Sequence, residues 1–312
     1  MKIIKPNVEI IEEMNILKKI ELAGRVCYKS EGLIGEGSAE KFIKNIIKRG
    51  HESVIEHGSY IFEVDKPFFK FMLSKLRHLH LKGYNLFIRC TNDIRPIISG
   101  NVRAWRDFFK ACIKEDGKLP YFLILGTVDK RKDKEVLFGE FYENHNFNGF
   151  CTFREITKYD LKTINEKLTH WDETARFICD RGVTHEIIRH RPASYSQEST
   201  RYCNYSKDDF GNEITVIEPC YLEPGTEGYN FWYNACSSAE QYYFSMLDWG
   251  CSPQEARAVL PNSLKTEIIM TANLTEWNHF FKLRTSAAAH PQMREVANML
   301  LDKMINKCLG VF

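Results

Sequence analysis

The densest chemistry in the chain runs Arg189-His190-Arg191-Pro192-Ala193-Ser194-Tyr195-Ser196-Gln197-Glu198-Ser199-Thr200-Arg201-Tyr202. Three arginines, a histidine, three serines, a threonine and a glutamine fall within these fourteen residues. Guanidinium groups offer forked donors that match a phosphate or a carbonyl face. Hydroxyls add donors at short range. Pro192 disfavours helical geometry at Arg191, so a helix end followed by a loop should gather these groups on one concave turn. Such a turn suits a nucleotide phosphate or the edge of a flavin ring. A plain solvated loop is the competing reading. Against it, Arg189 and Arg191 flank a histidine and are not neutralised by nearby acids.

Two further arginines stand in apolar surroundings, Arg257 in Ala256–Leu260 and Arg284 after Phe280-Phe281-Lys282-Leu283. A buried arginine needs a partner. Each is read either as a structural ion pair, for example with Glu255 or Glu267, or as a further ligand for an anionic substrate. His51-Glu52-Ser53-Val54-Ile55-Glu56-His57 and His185…His190 invite a metal reading, but neither is H-E-x-x-H. Histidines five apart sit about 140° apart around a helix, so no metal is expected. Gly35-x-Gly37 has Glu40 in place of a third glycine, which removes the dinucleotide fingerprint. Ser199 lacks the G-x-S-x-G setting of a hydrolase nucleophile. The ten cysteines are scattered singly without C-x-x-C and read as reduced, mostly apolar fillers.

The elements that must position these groups interleave without a regular β-α-β rhythm, so the class is α+β. Helices are expected over Lys18–Arg25, from Ser38 to about Arg49, over Asn101–Ile113 and over Val183–Arg191. Further helices should start at Ser237 or Ser238, with Tyr242, Tyr243, Met246 and Leu247 as core stripe, and at Thr275, running to Leu283. Ser252-Pro253-Gln254-Glu255 is a capping box with proline at the first helical position. Met293, Val296, Ala297, Leu300, Leu301, Met304, Ile305 and Cys308 repeat at 3.6 residues and mark a last amphipathic helix. Strands are expected at Ser59–Val64, Tyr84–Cys90, Glu173–Cys179, Thr266–Asn273 and around 121–128 and 136–142, with a solvated charged turn over 129–135.

The 312 residues carry 43 basic and 41 acidic side chains, net +2, with 44% hydrophobic and 27% charged. That balance is globular and does not call for a nucleic-acid polymer or an anionic membrane as partner. No apolar run approaches the ~18 residues of a membrane helix, and no signal-peptide core is read in the first residues. The expected compartment is the cytoplasm.

With these motifs in place, the chain resembles the flavin-dependent thymidylate synthases. Their signature R-H-R-x-x-S-x-x-x-x-S-x-R is met at every fixed position from Arg189 to Arg201. Arg49–Ser53 through Glu56-His57, Ser252–Pro261, and Asn273 through Asn278 to Arg284 resemble further family stretches. Thr275 stands where many members carry arginine, and Cys27 where serine is common. The resemblance covers roughly 14–65 and 172–306 and implies one domain over 1–312, long in form, with an insertion at about 66–170. It implies a mixed or antiparallel sheet flanked by helices, of the thymidylate synthase-complementing type, without a Rossmann domain.

The implied reaction is reductive methylation of dUMP to dTMP. Methylenetetrahydrofolate supplies the carbon, NADPH the electrons, and FAD carries the hydride. By the same resemblance His51, Ser53, Arg189, His190, Arg191, Gln197, Asn273 and Asn278 hold FAD. Glu186, Arg189, Gln197, Glu198, Ser199, Thr200, Arg201, Arg257 and Arg284 bind dUMP, and Arg284 is the catalytic group facing the uracil N3 edge. A homotetramer with shared active sites is implied too. The alternative is a nucleotide-binding or nucleotide-hydrolysing protein without flavin chemistry.

Overall fold

The structure, a computed structural model, describes residues 1–12, 14–117, 119, 132–141, 153–201, 203–206, 211–308 and 311–312, with residue 153 by its backbone alone. Two short strands, β1 (Lys2–Ile4) and β2 (Asn7–Ile10), precede α1 (Ile16–Tyr28). Asn15 caps α1 by accepting from the Leu17 amide at 2.8 Å. Next comes α2 (Ser38–Lys48), which buries Ile43 and Ile46. The cap of α2 differs from the expected Ser38. Gly37 occupies that position at φ 71°, and the Ser38 hydroxyl instead donates toward Glu21 and the Gly35 carbonyl.

Strand β3 (Ser59–Val64) lies where the alternation placed it and leads into α3 (Lys66–Leu81). After α3 come β4 (Ile88–Asn92), β5 (Pro96–Asn101) and α4 (Val102–Asp116). Asn101 caps α4 through the Ala104 amide at 2.7 Å. The strand expected at 121–128 lies outside the described residues. The strand expected over 136–142 is instead the end of α5 (Lys132–Phe138) and a 3-10 turn, Gly139–Phe141. The charged positions 132–135 are the start of this helix and not a turn. Burial decides this. Phe138 and Phe141 pack on Phe109 at ring separations of 5.7 and 5.4 Å, and Lys134 is buried against Glu155 at 2.8 Å.

The remaining elements are β6 (Phe153–Ile156), α6 (Ile164–His170), β7 (Asp172–Asp180), α7 (Arg181–Ile187), β8 (Ala193–Gln197), β9 (Thr215–Ile217), α8 (Glu227–Asp248), α9 (Pro253–Ala256), β10 (Lys265–Asn273), α10 (Leu274–Arg284) and α11 (Pro291–Lys307). Thr226 caps α8, well before the expected start at Ser237. Tyr243 is buried, but Tyr242 points outward and does not belong to the core stripe. The capping box at Ser252 and Glu255 forms as expected. Asn273, not Thr275, caps α10 through the Glu276 amide at 2.9 Å, while the Thr275 hydroxyl donates to the Leu168 carbonyl.

Among the described residues the strands form two antiparallel four-stranded sheets and one parallel pair, β1–β9. One sheet runs β2-β7-β10-β8, and the other runs β4-β5-β3-β6. The class is therefore α+β. In the first sheet β10 pairs with β7 from Lys265↔Asp180 to Asn273↔Asp172, and with β8 from Ile268↔Gln197 to Ala272↔Ala193. Helices α10 and α11 bury Trp277, Phe280, Met293, Val296 and Leu300 against this sheet. A second core gathers α1, α2, β3, α3, β5, α4 and α5 around Phe62, Trp105 and Phe108. No described helix is long and apolar enough to cross a membrane.

Candidate functional site

The arginine-serine segment begins as α7 ends. Asp180 caps α7 through the Val183 amide at 2.7 Å, and the helix stops at Ile187, short of the expected Arg191. Pro192 restricts only Arg191; the helix closes earlier, in tight turns where the Arg189 and His190 amides donate to the Glu186 and Ile187 carbonyls at 3.3 and 3.2 Å. The Tyr195 hydroxyl donates to the carbonyls of Ile187 and His190 at 3.0 and 2.5 Å, so the turn is closed by the strand that follows it. Arg189, His190 and Arg191 therefore sit on the turn between α7 and β8, next to the central strand β10.

Arg284, the last residue of α10, reaches this turn. Its Nη1 donates to Glu186 Oε2 at 2.6 Å, its Nη2 to the Glu186 carbonyl at 3.0 Å, and its Nε to His190 Nε2 at 3.1 Å. Neither Glu255 nor Glu267 is its partner. Three of its N–H groups are thus engaged by the chain, and two of the five remain for a ligand. His190 is buried, and its Nδ1 lies 2.8 Å from Glu276 Oε1. Burial lowers the His190 pKa below 6.5 although Glu276 opposes this, so the ring is neutral at pH 7. His279 Nδ1 approaches the same Glu276 oxygen at 3.2 Å. His190, Glu276 and His279 bring ligand-type atoms within 4.8 Å of one another. Spacing along the chain does not reveal this trio.

The hydroxyl-bearing half follows on β8 and beyond. Gln197 Nε2 donates to Thr184 Oγ1 at 3.1 Å and Thr266 Oγ1 at 3.3 Å. Thr200 accepts from Arg257 Nη1 at 3.4 Å, and Ser199 Oγ accepts from the Arg201 amide at 3.3 Å. Glu198 is buried and meets Lys265 at 2.9 Å. Lys265 also binds Glu267, which pairs with Lys29 and Arg176 as well. Burial works against the Glu267 charge, but Lys265 and Lys29 override it and hold the carboxyl at about 2. This cluster stiffens the floor beside Gln197 and Ser199.

Arg189, Arg191, Arg201 and Arg257 face solvent. Arg189 and Arg191 form no ion pair among the described residues. Arg191 and Asn273 line one cleft of about 570 Å³, which Phe87, Arg89 and Arg103 from the segment after α3 line as well. The turn at 54–57 is stitched to β8, since His57 Nε2 lies 3.0 Å from Ser196 Oγ and Ser194 Oγ donates to the Glu56 carbonyl at 3.5 Å. This brings the segment carrying His51 and Ser53 toward the motif. Among the described residues no side-chain hydrogen bond joins His51, Ser53 or Asn278 to the other site residues. Two exposed guanidinium groups, Arg189 and Arg191, with no ion pair among the described residues, fit a diphosphate such as that of FAD by donor chemistry.

Burial raises the thiols of Cys27, Cys90, Cys112, Cys203 and Cys308 rather than activating them. Cys90 and Cys308 are pushed up to about 11, Cys112 and Cys203 to about 12, and Cys27 rises as well.

The chain matches the family pattern described as Thymidylate synthase complementing protein over residues 9–80 and 156–308. The segment between the two matched parts, 81–155, is narrower than the expected insertion of about 66–170. A protein of Pyrococcus furiosus named flavin-dependent thymidylate synthase is 36% identical over 129 residues, 41% of this chain and 52% of that protein. One of Geobacter sulfurreducens with the same name is 36% identical over 121 residues, 39% of this chain and 50% of that protein. One of Sulfolobus acidocaldarius, again so named, is 30% identical over 161 residues, 48% of this chain and 60% of that protein. The matched stretch thus spans between half and three fifths of each of these relatives' length.

Proposed function

Because the chain belongs to the thymidylate synthase complementing family, we propose that it converts dUMP to dTMP by reductive methylation. Methylenetetrahydrofolate is the carbon donor, NADPH the reductant and FAD the hydride carrier. The observation that carries this reading is the setting of Arg284. Its guanidinium is held by Glu186 and His190 with two N–H groups left over. A fixed cation beside a uracil N3 and its flanking carbonyl favours the deprotonated, electron-rich ring. That raises nucleophilicity at C5 without a protein thiolate, in keeping with the raised thiols.

FAD, when bound, supplies hydride transfer. Arg189 and Arg191 are the residues to hold its diphosphate, with His51, Ser53, His190, Gln197, Asn273 and Asn278 completing its contacts. Ser199, Thr200, Arg201 and Arg257 are assigned to the nucleotide, with Glu186, Gln197 and Glu198 ordering that region. The outward-facing arginines suit a site completed by a second copy, which supports a homotetramer with shared active sites. The cytoplasm is the compartment where these substrates meet.

The test is a visible absorbance spectrum of protein loaded with FAD and desalted, with and without dUMP. Retained flavin bands that shift with dUMP are expected. A folded protein that retains no flavin defeats the reading.

A further inference from the structure

Glu276, Phe280 and Arg284 follow one another at four-residue intervals and so share one face of α10. The His190 ring is set against that face. It meets the Phe280 ring edge-on at 5.0 Å. Its Nδ1 faces Glu276 Oε1 at 2.8 Å, and its Nε2 faces Arg284 Nε at 3.1 Å. The second contact determines the first. A guanidinium N–H only donates, so His190 Nε2 must carry the lone pair. The ring proton is then on Nδ1, where it is donated to Glu276.

Resting on the reading that Arg284 faces the nucleotide, we propose that Glu276 is a positioning residue. It holds the His190 proton on Nδ1 and so keeps Nε2 as the acceptor that fixes the Arg284 guanidinium.

Glu276 is well placed for this. Its side chain is only 8% exposed, and it lies in the first turn of α10, where the helix dipole favours a carboxylate. The titratable groups facing the ring are Glu276, His279 and Arg284 of α10, with His279 at a ring separation of 5.3 Å. From α7, Glu186 reaches Arg284. From β8, the Tyr195 hydroxyl meets the His190 carbonyl. Protonating His190 sets Nε2–H against Arg284 Nε–H, donor against donor, and releases the guanidinium from this anchor. A cation bound through His190 Nδ1, with His279 and Glu276 as further ligands, forces the ring proton to Nε2 with the same result. A metal there and the bond from Arg284 are therefore mutually exclusive.

Two measurements test this. In nitrogen-15 histidine spectra of the FAD-loaded protein at pH 7.5, signals assigned through a His190→Gln variant should show Nδ1 protonated and Nε2 bare. A proton on Nε2, or zinc on Nδ1 when zinc alone is added, overturns the proposal. Second, dUMP affinity is followed against pH through the flavin absorbance change in wild type and Glu276→Leu, which offers the ring no acceptor. The variant should bind dUMP about tenfold more weakly at pH 7.5, the scale of one lost hydrogen bond. Its acid limb should move to lower pH, because the carboxylate that favours the imidazolium is gone. The dUMP phosphate titrates alike against both proteins. Weaker binding with an unmoved limb means Glu276 only packs, and the proposal falls. If wild type binds no dUMP at all, the synthase reading fails, and the tautomer spectrum alone decides whether Glu276 holds His190.

Discussion

Arg89 and Asp172 meet as a two-pronged ion pair, Nη1 to Oδ1 at 2.6 Å and Nη2 to Oδ2 at 2.7 Å. Arg89 lies on β4 and Asp172 opens β7, so the pair joins the two four-stranded sheets. Burial alone would raise the Asp172 carboxyl, but Arg89 overrides it and holds the group below its ordinary value. The pair also lines the cleft that Arg191 and Asn273 share.

Breaking such a pair from one side leaves a charge stranded in a poorly solvated place. Arg89→Ala should therefore lower the unfolding free energy by about 3–5 kcal/mol. Arg89→Lys should recover only part, because an ammonium cannot form the fork. Denaturant unfolding of the three proteins decides it, and a loss under about 1 kcal/mol in Arg89→Ala refutes the account.

Removing the Arg284 guanidinium, proposed to face the nucleotide, should stop chemistry while sparing the cofactor. Arg284→Ala is expected to lower dTMP formation by about 100-fold or more with flavin retained after desalting. Turnover at the wild-type level would defeat the role given to Arg284.

Arg189 is exposed and makes no ion pair among the described residues, so its charge is free for a diphosphate. Arg189→Ala should leave unfolding within about 0.5 kcal/mol of wild type yet lose flavin on desalting. A normally flavinated variant would remove Arg189 from the cofactor site.

His57 is fully buried between Thr271 Oγ1 at 2.8 Å and Ser196 Oγ at 3.0 Å. Burial, reinforced by Lys19, lowers its pKa from 6.5 to about 3. The unfolded chain thus takes up a proton before the folded one does. The stabilisation is intact above pH 6.5 and drains away as pH falls toward 3, by roughly 3–5 kcal/mol in all. His57→Asn should flatten the slope of unfolding free energy between pH 6.5 and 4. An unchanged slope rules His57 out as its source.

Local signals made much of this legible. Asn101 and Ser252 cap helices near the expected places, and the 3.6-residue stripe of the last helix is buried except at Leu301 and Ile305. What escaped was set by distant packing. The run at 136–138 is apolar in a way that fits strand or helix, and Phe109, some thirty residues earlier, selects the helix. The start of α8 escaped because its first turns expose Phe231 and Tyr233 and present no stripe. Arg284 was legible as a buried arginine in need of an acid, but its partner Glu186 lies 98 residues away. Glu276 gave no signal, because nothing near it in the chain reveals a histidine 86 positions earlier.

Strand β3 belongs to the part that matches the family, yet its neighbours on both sides, β5 and β6, come almost wholly from the intervening segment. Excising 81–155 would bare both hydrogen-bonding edges of β3 at once. The apolar Tyr60, Phe62 and Val64 would lose their cover with them. Such an edge pairs readily with another copy of itself. The shortened chain would have its signature arginines intact and yet present two bare pairing edges, so the extra segment serves as the side walls of a strand that lies outside the signature.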